Sequence, residues 1–353
     1  MKSSLVTELA GFRYPLIQAP MLGITTPEMV AAVSNAGGLG SLPVGGLAPD
    51  KARELIQKTK SLTDAPFAVN LFAHTLPQVS HLDVETMREF LLRYCAEQEL
   101  DCEIPAPETF RFYTCSDQLE VLLEAELRLI SFTFGIPDEA MIATLKSRGC
   151  MLIGTATCVE EARILEQKGI DAVCAQGIEA GGHRGTFVED LPLPQIGTMA
   201  LVPQLIDAVT MPVIAAGGIS DGRGINAAFG LGAAAVQIGT AFIGCNESLA
   251  IPSYKARLQT AGDTDSGLTT AFSGRWARGL RNAFMQALDE AGIAIPAYPI
   301  QNTLTSLLRA AAQQQDRHEL TNLWSGQYAR KTKGQSTGEV FEELLREAEL
   351  RVE

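Results

Sequence analysis

Short apolar runs alternate with helical stretches over the first two thirds of the chain, and this alternation is the strongest constraint on its fold. The runs are Pro15–Ala19, Leu39–Val44, Phe67–Phe72, Arg128–Thr133, Met151–Ala156, Ala172–Gln176, Pro212–Ala216 and Ala234–Phe242. Helical patterns separate them, for example Thr26–Asn35, where a capping hydroxyl precedes a proline at the first helical position. Strands joined by helical crossovers pair in parallel, and the crossovers are right-handed. Eight such units by residue 242 of the 353 predict an α/β fold, a (β/α)8 TIM barrel. A doubly wound open sheet is the alternative, but no GxGxxG follows the first run.

Two stretches break the rhythm. Ala73–Asp117 reads as an insertion after the third strand, with a helix over Val84–Glu97. Beyond Phe242 the pattern becomes mainly helical, with Ala277–Ala291 and Gln301–Gln315 as the clearest helices. The expected organisation is a barrel over 1–242, a helical substrate-binding domain over 243–333, and an amphipathic C-terminal helix over about 339–353. That last helix, predicted from Glu339 to Val352, should pack back on the barrel.

Charge and cysteine content narrow the function. A net charge of −13 with no Lys/Arg run argues against nucleic acid and anionic membranes as partners. A bound phosphate must then be held by backbone N–H groups and helix ends. The seven cysteines contain no CxxC, so neither a zinc site nor a disulfide framework is expected, and no metal is assigned. Met1–Gly11 lacks a signal-peptide core and no run of 18 uncharged apolar residues exists, so a cytoplasmic location is expected. The oligomeric state, monomer or homo-oligomer, is left open.

Three segments carry chemistry. The first is a pair of turns after the seventh and eighth runs, PVIAAGGISDG (212–222) and GAAAVQIGTAF (232–242). Barrels commonly bind phosphate between the loops of these two strands. Gly217-Gly218 and Gly239-Thr240 let the backbone approach an anion, and the Thr240 hydroxyl adds a donor. The second is QGIEAGGHRG (176–185), where Gly181 and Gly182 would lie against a flat cofactor ring and His183 would stand ready for proton transfer. The third is a set of polar groups at strand ends: Asn70, Gln237, and the Gln18–Met21 stretch, whose N–H groups could meet a ring edge. His74 could also face this site, although a loop role fits it better. Cys174, within the sixth strand, reads as core.

Taken together, PLIQAPM (15–21), SNAGGLGSL (34–42), VNLF (69–72), QGIEAGGHRG, AAGGISDG (215–222) and VQIGTAF (236–242) resemble the nitronate monooxygenases over nearly the whole chain. SGRWARGLRN (273–282) and AYPIQN (297–302) resemble the bacterial class I group. The resemblance implies FMN as cofactor and oxidation of alkyl nitronates by dioxygen to a carbonyl compound and nitrite. A neutral nitroalkane is a further implied substrate. FMN contacts implied this way are Met21, Asn70, Gln176, Gly181, Gly218, Gln237, Ile238, Gly239 and Thr240, beside the phosphate turn at Gly217. His183 is the implied catalytic residue, as a base toward nitroalkanes or as a holder of the nitronate anion. Tyr113, Tyr254 and Tyr298 are the implied substrate tyrosines. The lysine that the family places at its substrate has no counterpart in AYPIQNTLTSLLRA (297–310), whose one cation is Arg309. Two alternatives stand beside this reading. One is an FMN-dependent enoyl-acyl-carrier-protein reductase using NADH, which shares the SNAGG turn and a GGH loop. The other is a non-catalytic flavin-binding barrel.

Overall fold

In the computed structural model, residues 7, 10–78, 80–188, 191–329 and 334–350 are described. Eleven strands are present among them: β1 (Leu16–Gln18), β2 (Gly40–Pro43), β3 (Phe67–Phe72), β4 (Leu129–Thr133), β5 (Met151–Ala156), β6 (Ala172–Gln176), β7 (Gly182–His183), β8 (Val213–Ala216), β9 (Ala235–Ile238), β10 (Ser266–Thr269) and β11 (Ala277–Leu280). Eight form one sheet in the order β1-β9-β8-β6-β5-β4-β3-β2, every neighbouring pair parallel. The ends of that order also meet. Gln18 N–H donates to the Leu39 carbonyl at 2.9 Å, and Leu39 N–H to the Leu16 carbonyl at 3.0 Å. The sheet therefore wraps into the expected TIM barrel.

Local chemistry sets the elements around it. Helix Pro27–Asn35 begins where the Thr26 hydroxyl accepts from Met29 N–H. Asp138 does the same for Glu139–Ser147, and Asp221 for Gly222–Gly230. Each such cap is worth about 1 kcal/mol. The strands bury side chains on both faces, as parallel strands covered by helices must. Ile17, Leu39, Ala68, Ile153, Ala172, Ile214 and Ala235 fill the barrel, and Phe12 packs with them just ahead of β1. The outward faces join the helices in a larger core, which includes Val340, Phe341, Leu344 and Leu345 of the C-terminal helix.

A second core combines Phe272, Phe284, Leu288, Ile300 and Leu308 with Met87, Leu91 and Cys95 of the helix His81–Glu97. The insertion after β3 is thus packed against the later part of the chain.

Several elements differ from the sequence expectation. The eighth barrel strand ends at Ile238, and Thr240–Ile243 turns into a short helix. Ala277–Leu280 is strand, and helix begins only at Ala283, where Asn282 caps it. The alanine-rich spacing resembles a helix, but Gly279 is pressed against the Leu323–Trp324 backbone, and a Cβ there would sit 2.8 Å from the Leu323 carbonyl oxygen. The helix expected over Gln301–Gln315 divides into Ile300–Leu304 and Ser306–Gln314, because the buried Thr305 hydroxyl donates to the Phe272 carbonyl at 2.5 Å. The C-terminal helix spans Thr337–Glu347, and Val352 lies outside the described residues. Finally, the loop after β6 is not wholly irregular: Gly182–His183 pairs antiparallel with β11, which pairs with β10.

Candidate active site

One cavity of about 470 Å³ opens at the C-terminal ends of the barrel strands. Met21, Asn70, Gln176, Gly181, His183, Gly217, Gly218, Gln237, Gly239, Thr240, Tyr254 and Tyr298 all line it. Residues from seven separate segments therefore converge at the mouth of the barrel.

One wall is backbone. Gly217 and Gly218 have φ of +108° and +71°, conformations that other residues rarely adopt. The Thr198 hydroxyl holds the Gly217 carbonyl at 2.8 Å, and the Glu179 carboxylate accepts from Thr198 N–H at 2.9 Å. That carboxylate occupies the end of helix Thr198–Ala208, and Asp221 occupies the end of Gly222–Gly230. These two helix ends are therefore taken by carboxylates of the protein itself. Thr240 differs: its hydroxyl accepts from Gly326 N–H at 3.0 Å, which leaves its own proton to donate.

Three amide side chains extend this wall across the barrel mouth. Asn70 donates to the Ser131 hydroxyl at 2.9 Å. Gln237 makes only a 3.4 Å contact to the Cys174 sulfur. Gln176 bridges the loop after β6, donating to the His183 carbonyl at 2.9 Å and accepting from Gly185 N–H at 2.8 Å. Cys174 does line the cavity, but burial holds its thiol protonated, with the pKa pushed up to about 12.

The opposite wall is side chain. His183 sits among Phe134, Trp324 and Tyr298, with ring centroids at 5.4, 5.3 and 6.4 Å. Its Nε2 lies 2.7 Å from the Ser273 hydroxyl. Enclosure by protein, then the charges of Arg275 and Arg309, lower its pKa to about 3, so the imidazole is neutral near pH 7. Burial likewise raises the Tyr298 hydroxyl and lowers Arg309, to about 10. Arg309 lines the cavity, and among the described residues its guanidinium bonds only neutral groups: the Thr305 hydroxyl at 3.2 Å, Asn322 Oδ1 at 3.2 Å and Asn302 Oδ1 at 2.9 Å, with the Thr305 and Asn302 carbonyls. Next to His183, Arg184 is fully buried and donates to the Gln176 and Gly177 carbonyls at 2.7 and 2.6 Å, pinning the loop.

Some expected residues do not join the site as supposed. Tyr113 does not reach the cavity; its segment is folded against Asp117, which accepts from Thr114 N–H at 2.7 Å. Ile238 points away, buried in the layer between strands and helices, because alternation along β9 turns Gln237 inward. Tyr254 lines the cavity, but its hydroxyl donates to the Trp324 carbonyl at 2.5 Å. The Gln18–Met21 amides are already used: Ala19 N–H bonds the Ile238 carbonyl at 2.8 Å, and Met21 N–H the Thr25 hydroxyl at 3.2 Å. His74 is buried beside the cavity, edge-on to Tyr298 at 4.8 Å. Nothing in the sequence marks Phe134, Trp324, Asn302 and Tyr328 as cavity residues, or Ser273 as a neighbour of the imidazole. Ser273 lay inside a noted motif, but nothing in that motif marks it as the partner of a histidine ninety residues earlier.

The family model for nitronate monooxygenases matches residues 3–347. The chain belongs to the nitronate monooxygenase family. A probable nitronate monooxygenase of Staphylococcus saprophyticus is 43% identical over 98% of both chains. One from Staphylococcus aureus is 42% identical over 92% of this chain and 91% of its own. Among solved structures, the nitroalkane oxidase from Streptomyces ansochromogenes superimposes with a TM-score of 0.88 at 38% identity, covering 98% of each chain. FabK from Thermotoga maritima gives 0.77 at 30% identity, covering 99% of this chain and 97% of its own. Membership of this flavin-dependent family makes the protein an oxidoreductase that acts on small nitronate-type molecules. Among the described residues no helix is long and apolar enough to cross a membrane, and no group of three metal-ligating side chains occurs.

Proposed function

We propose that the protein uses FMN and dioxygen to oxidise alkyl nitronates to a carbonyl compound and nitrite. The observation that carries this reading is the opposition of the two cavity walls. A glycine-built turn pair faces a neutral imidazole and an arginine that has no carboxylate partner among the described residues. The residues present fit a flavin mononucleotide. The turns at Gly217-Gly218 and Gly239-Thr240 suit its phosphate, and Asn70, Gln176 and Gln237 suit a ring edge that both donates and accepts. Gly181 lines the same cavity, and packing requires it to be glycine, since a Cβ there would sit 2.5 Å from the Ser325–Gly326 backbone.

When bound, the flavin supplies the one-electron chemistry that carries electrons from the nitronate to dioxygen. The protein does the rest. Arg309 and the neutral His183 hold the substrate's negative charge in a space walled by Phe134, Trp324 and Tyr298. Toward a neutral nitroalkane, His183 takes the proton from the carbon bearing nitrogen; the C–H electron pair moves into the C–N bond and leaves the nitronate.

The test is the visible spectrum of the purified protein, followed by nitrite release from propionate 3-nitronate in air and under argon. A colourless protein that takes up no FMN, or nitrite release unchanged without oxygen, would end the proposal. A second reading, the NADH-linked enoyl reductase considered from the sequence, is favoured by the likeness to FabK. Rapid flavin bleaching on anaerobic mixing with NADH would support it over the first.

A further inference from the structure

Helix His81–Glu97, which carries part of the second core, ends in a way that folds the chain back on itself. Glu99 takes a φ of +52°, a left-handed conformation, and its N–H donates to the Ala96 carbonyl at 3.2 Å. Leu100 N–H donates to the Cys95 carbonyl at 2.9 Å, and the Leu100 side chain is buried in the second core. Such a reversal satisfies the last helical carbonyls and is sealed by an apolar contact. Its consequence here is that Cys102 returns beside Cys95. The two sulfurs lie 2.6 Å apart, and both thiols are free. Among the described residues no other two cysteines are in contact.

The pair has an inner and an outer member. Cys95 is buried in the core that includes Phe284 and Leu308. Cys102 is half-buried, between the exposed Asp101 and Glu103. The turn that joins them is also held from outside, where the Gln98 carbonyl accepts from the Arg317 guanidinium at 2.6 Å. Sulfurs already in contact need only a small side-chain adjustment to reach the disulfide length of about 2.0 Å.

We infer that Cys95 and Cys102 are a modification site, which a hydroperoxide converts to a disulfide that fastens the end of helix His81–Glu97 to the loop after it. With hydrogen peroxide, the Cys102 sulfur attacks one oxygen, the O–O bond breaks, water leaves and a sulfenic acid remains. The Cys95 sulfur then attacks the Cys102 sulfur, the S–O bond breaks, and the hydroxyl departs with the Cys95 proton as a second water. Two thiols lose two electrons between them, and one peroxide is reduced to two waters. The segment Glu97–Glu103 carries four carboxylates and no cation, so it admits an uncharged oxidant more readily than an anionic disulfide. Burial raises the pKa of both thiols, so the reaction is slow at neutral pH and quickens with alkali, because the thiolate is the reacting form. The inference does not depend on the flavin reading.

The test treats the full chain with hydrogen peroxide, quenches it, and alkylates the denatured protein without reductant. Trypsin releases Cys95 and Cys102 together in one peptide, residues 94–111, which holds no other cysteine. The expected result is that this peptide escapes alkylation and is lighter by two hydrogen atoms, while the other five of the seven thiols remain alkylated. Dithiothreitol should reverse the change, and the rate should rise roughly tenfold from pH 7 to pH 8, following the thiolate fraction. Oxidised protein should have a higher urea midpoint than reduced protein, since the closed loop restricts the unfolded chain. In Cys102→Ser, a change at the half-buried position, Cys95 should resist peroxide and the midpoint should no longer respond to it. Full alkylation of the peptide after treatment would overturn the inference. So would sulfinic acid on Cys102 beside a free Cys95, a disulfide to any other cysteine, or an unchanged urea midpoint.

Discussion

The two walls of the cavity are made of different materials. At the ends of β8 and β9 the chain presents backbone: two glycines with positive φ, a Gly-Thr turn, and short strands that fix their spacing. Across the cavity, residues 273–328 and the loop after β6 present side chains, His183 on Ser273 and Arg309 on Asn302 and Asn322, each held by a group far away in sequence or on another turn. A backbone wall binds by shape and tolerates little change at its glycines. A side-chain wall binds by charge and polarity and can be altered one function at a time.

The sharpest challenge to this contrast is His183→Asn. It should lower turnover of neutral nitroalkanes about 10²–10⁴-fold, the usual contribution of a general base, with a smaller loss on preformed nitronates. Equal losses on both, measured as nitrite release, would mean that the ring acts only on the bound anion. Arg309→Met should raise KM for nitronates about 10–100-fold, the scale of losing a hydrogen-bonded charge at a desolvated site, while leaving flavin content unchanged. Flavin loss in that variant would blur the separation of the walls.

The backbone wall should respond in the opposite way. Gly217→Ala forces a side chain into a φ of +108°, with its Cβ 3.0 Å from Ala180 N. The strain, about 1–3 kcal/mol, should weaken flavin retention roughly tenfold or more, read as absorbance remaining after dialysis. Protein that still retains flavin should keep the wild-type nitroalkane-to-nitronate ratio.

Acid gives a milder test of the side-chain wall. His183 titrates near 6.5 when unfolded and at about 3 when folded, and His74 is lowered too, first by burial and then by Arg275. The unfolded chain therefore binds protons that the folded one refuses, and stability falls as pH drops from above 6.5 toward 3. At about 1.4 kcal/mol per unit, reduced by the ring's partial access to the cavity, His183 should account for about 1–3 kcal/mol. Denaturation midpoints at pH 7 and 4.5 should diverge less in His183→Asn than in the wild type; parallel slopes would contradict the assignment.

The smallest effect is expected at the rim. Partial burial disfavours the Asp221 charge, but hydrogen bonds from Arg223, Tyr328 and Gly224 N–H hold its pKa at about 2. Tyr328→Phe removes one of these, a half-exposed bond of 2.8 Å, and should cost no more than about 1 kcal/mol. Its thermal midpoint should barely move.

The same division explains what the sequence reveals. Gly217-Gly218, Gly239-Thr240, Gln176 and Gln237 are legible because strand and turn periodicity assign each residue a face. The eight barrel strands are legible for that reason too. Ser273 and the strand Ala277–Leu280 are not, because their conformations depend on partners near residues 183 and 324. Tyr113 shows the converse: the family resemblance implies a substrate contact, but in this structure its segment does not line the cavity. Ile238 fails through a single step of strand alternation.

The pairing of Gly182–His183 with β11 has a mechanical consequence. Arg184 N–H donates to the Trp276 carbonyl at 2.8 Å, and Arg278 Nε to the Ile178 carbonyl at 2.9 Å, so the loop bearing the imidazole is stitched to β11 and the turn before it. Any motion that shifts β11 must carry the imidazole with it or break these stitches. The seat of the imidazole is therefore only as rigid as the small three-stranded sheet that carries it.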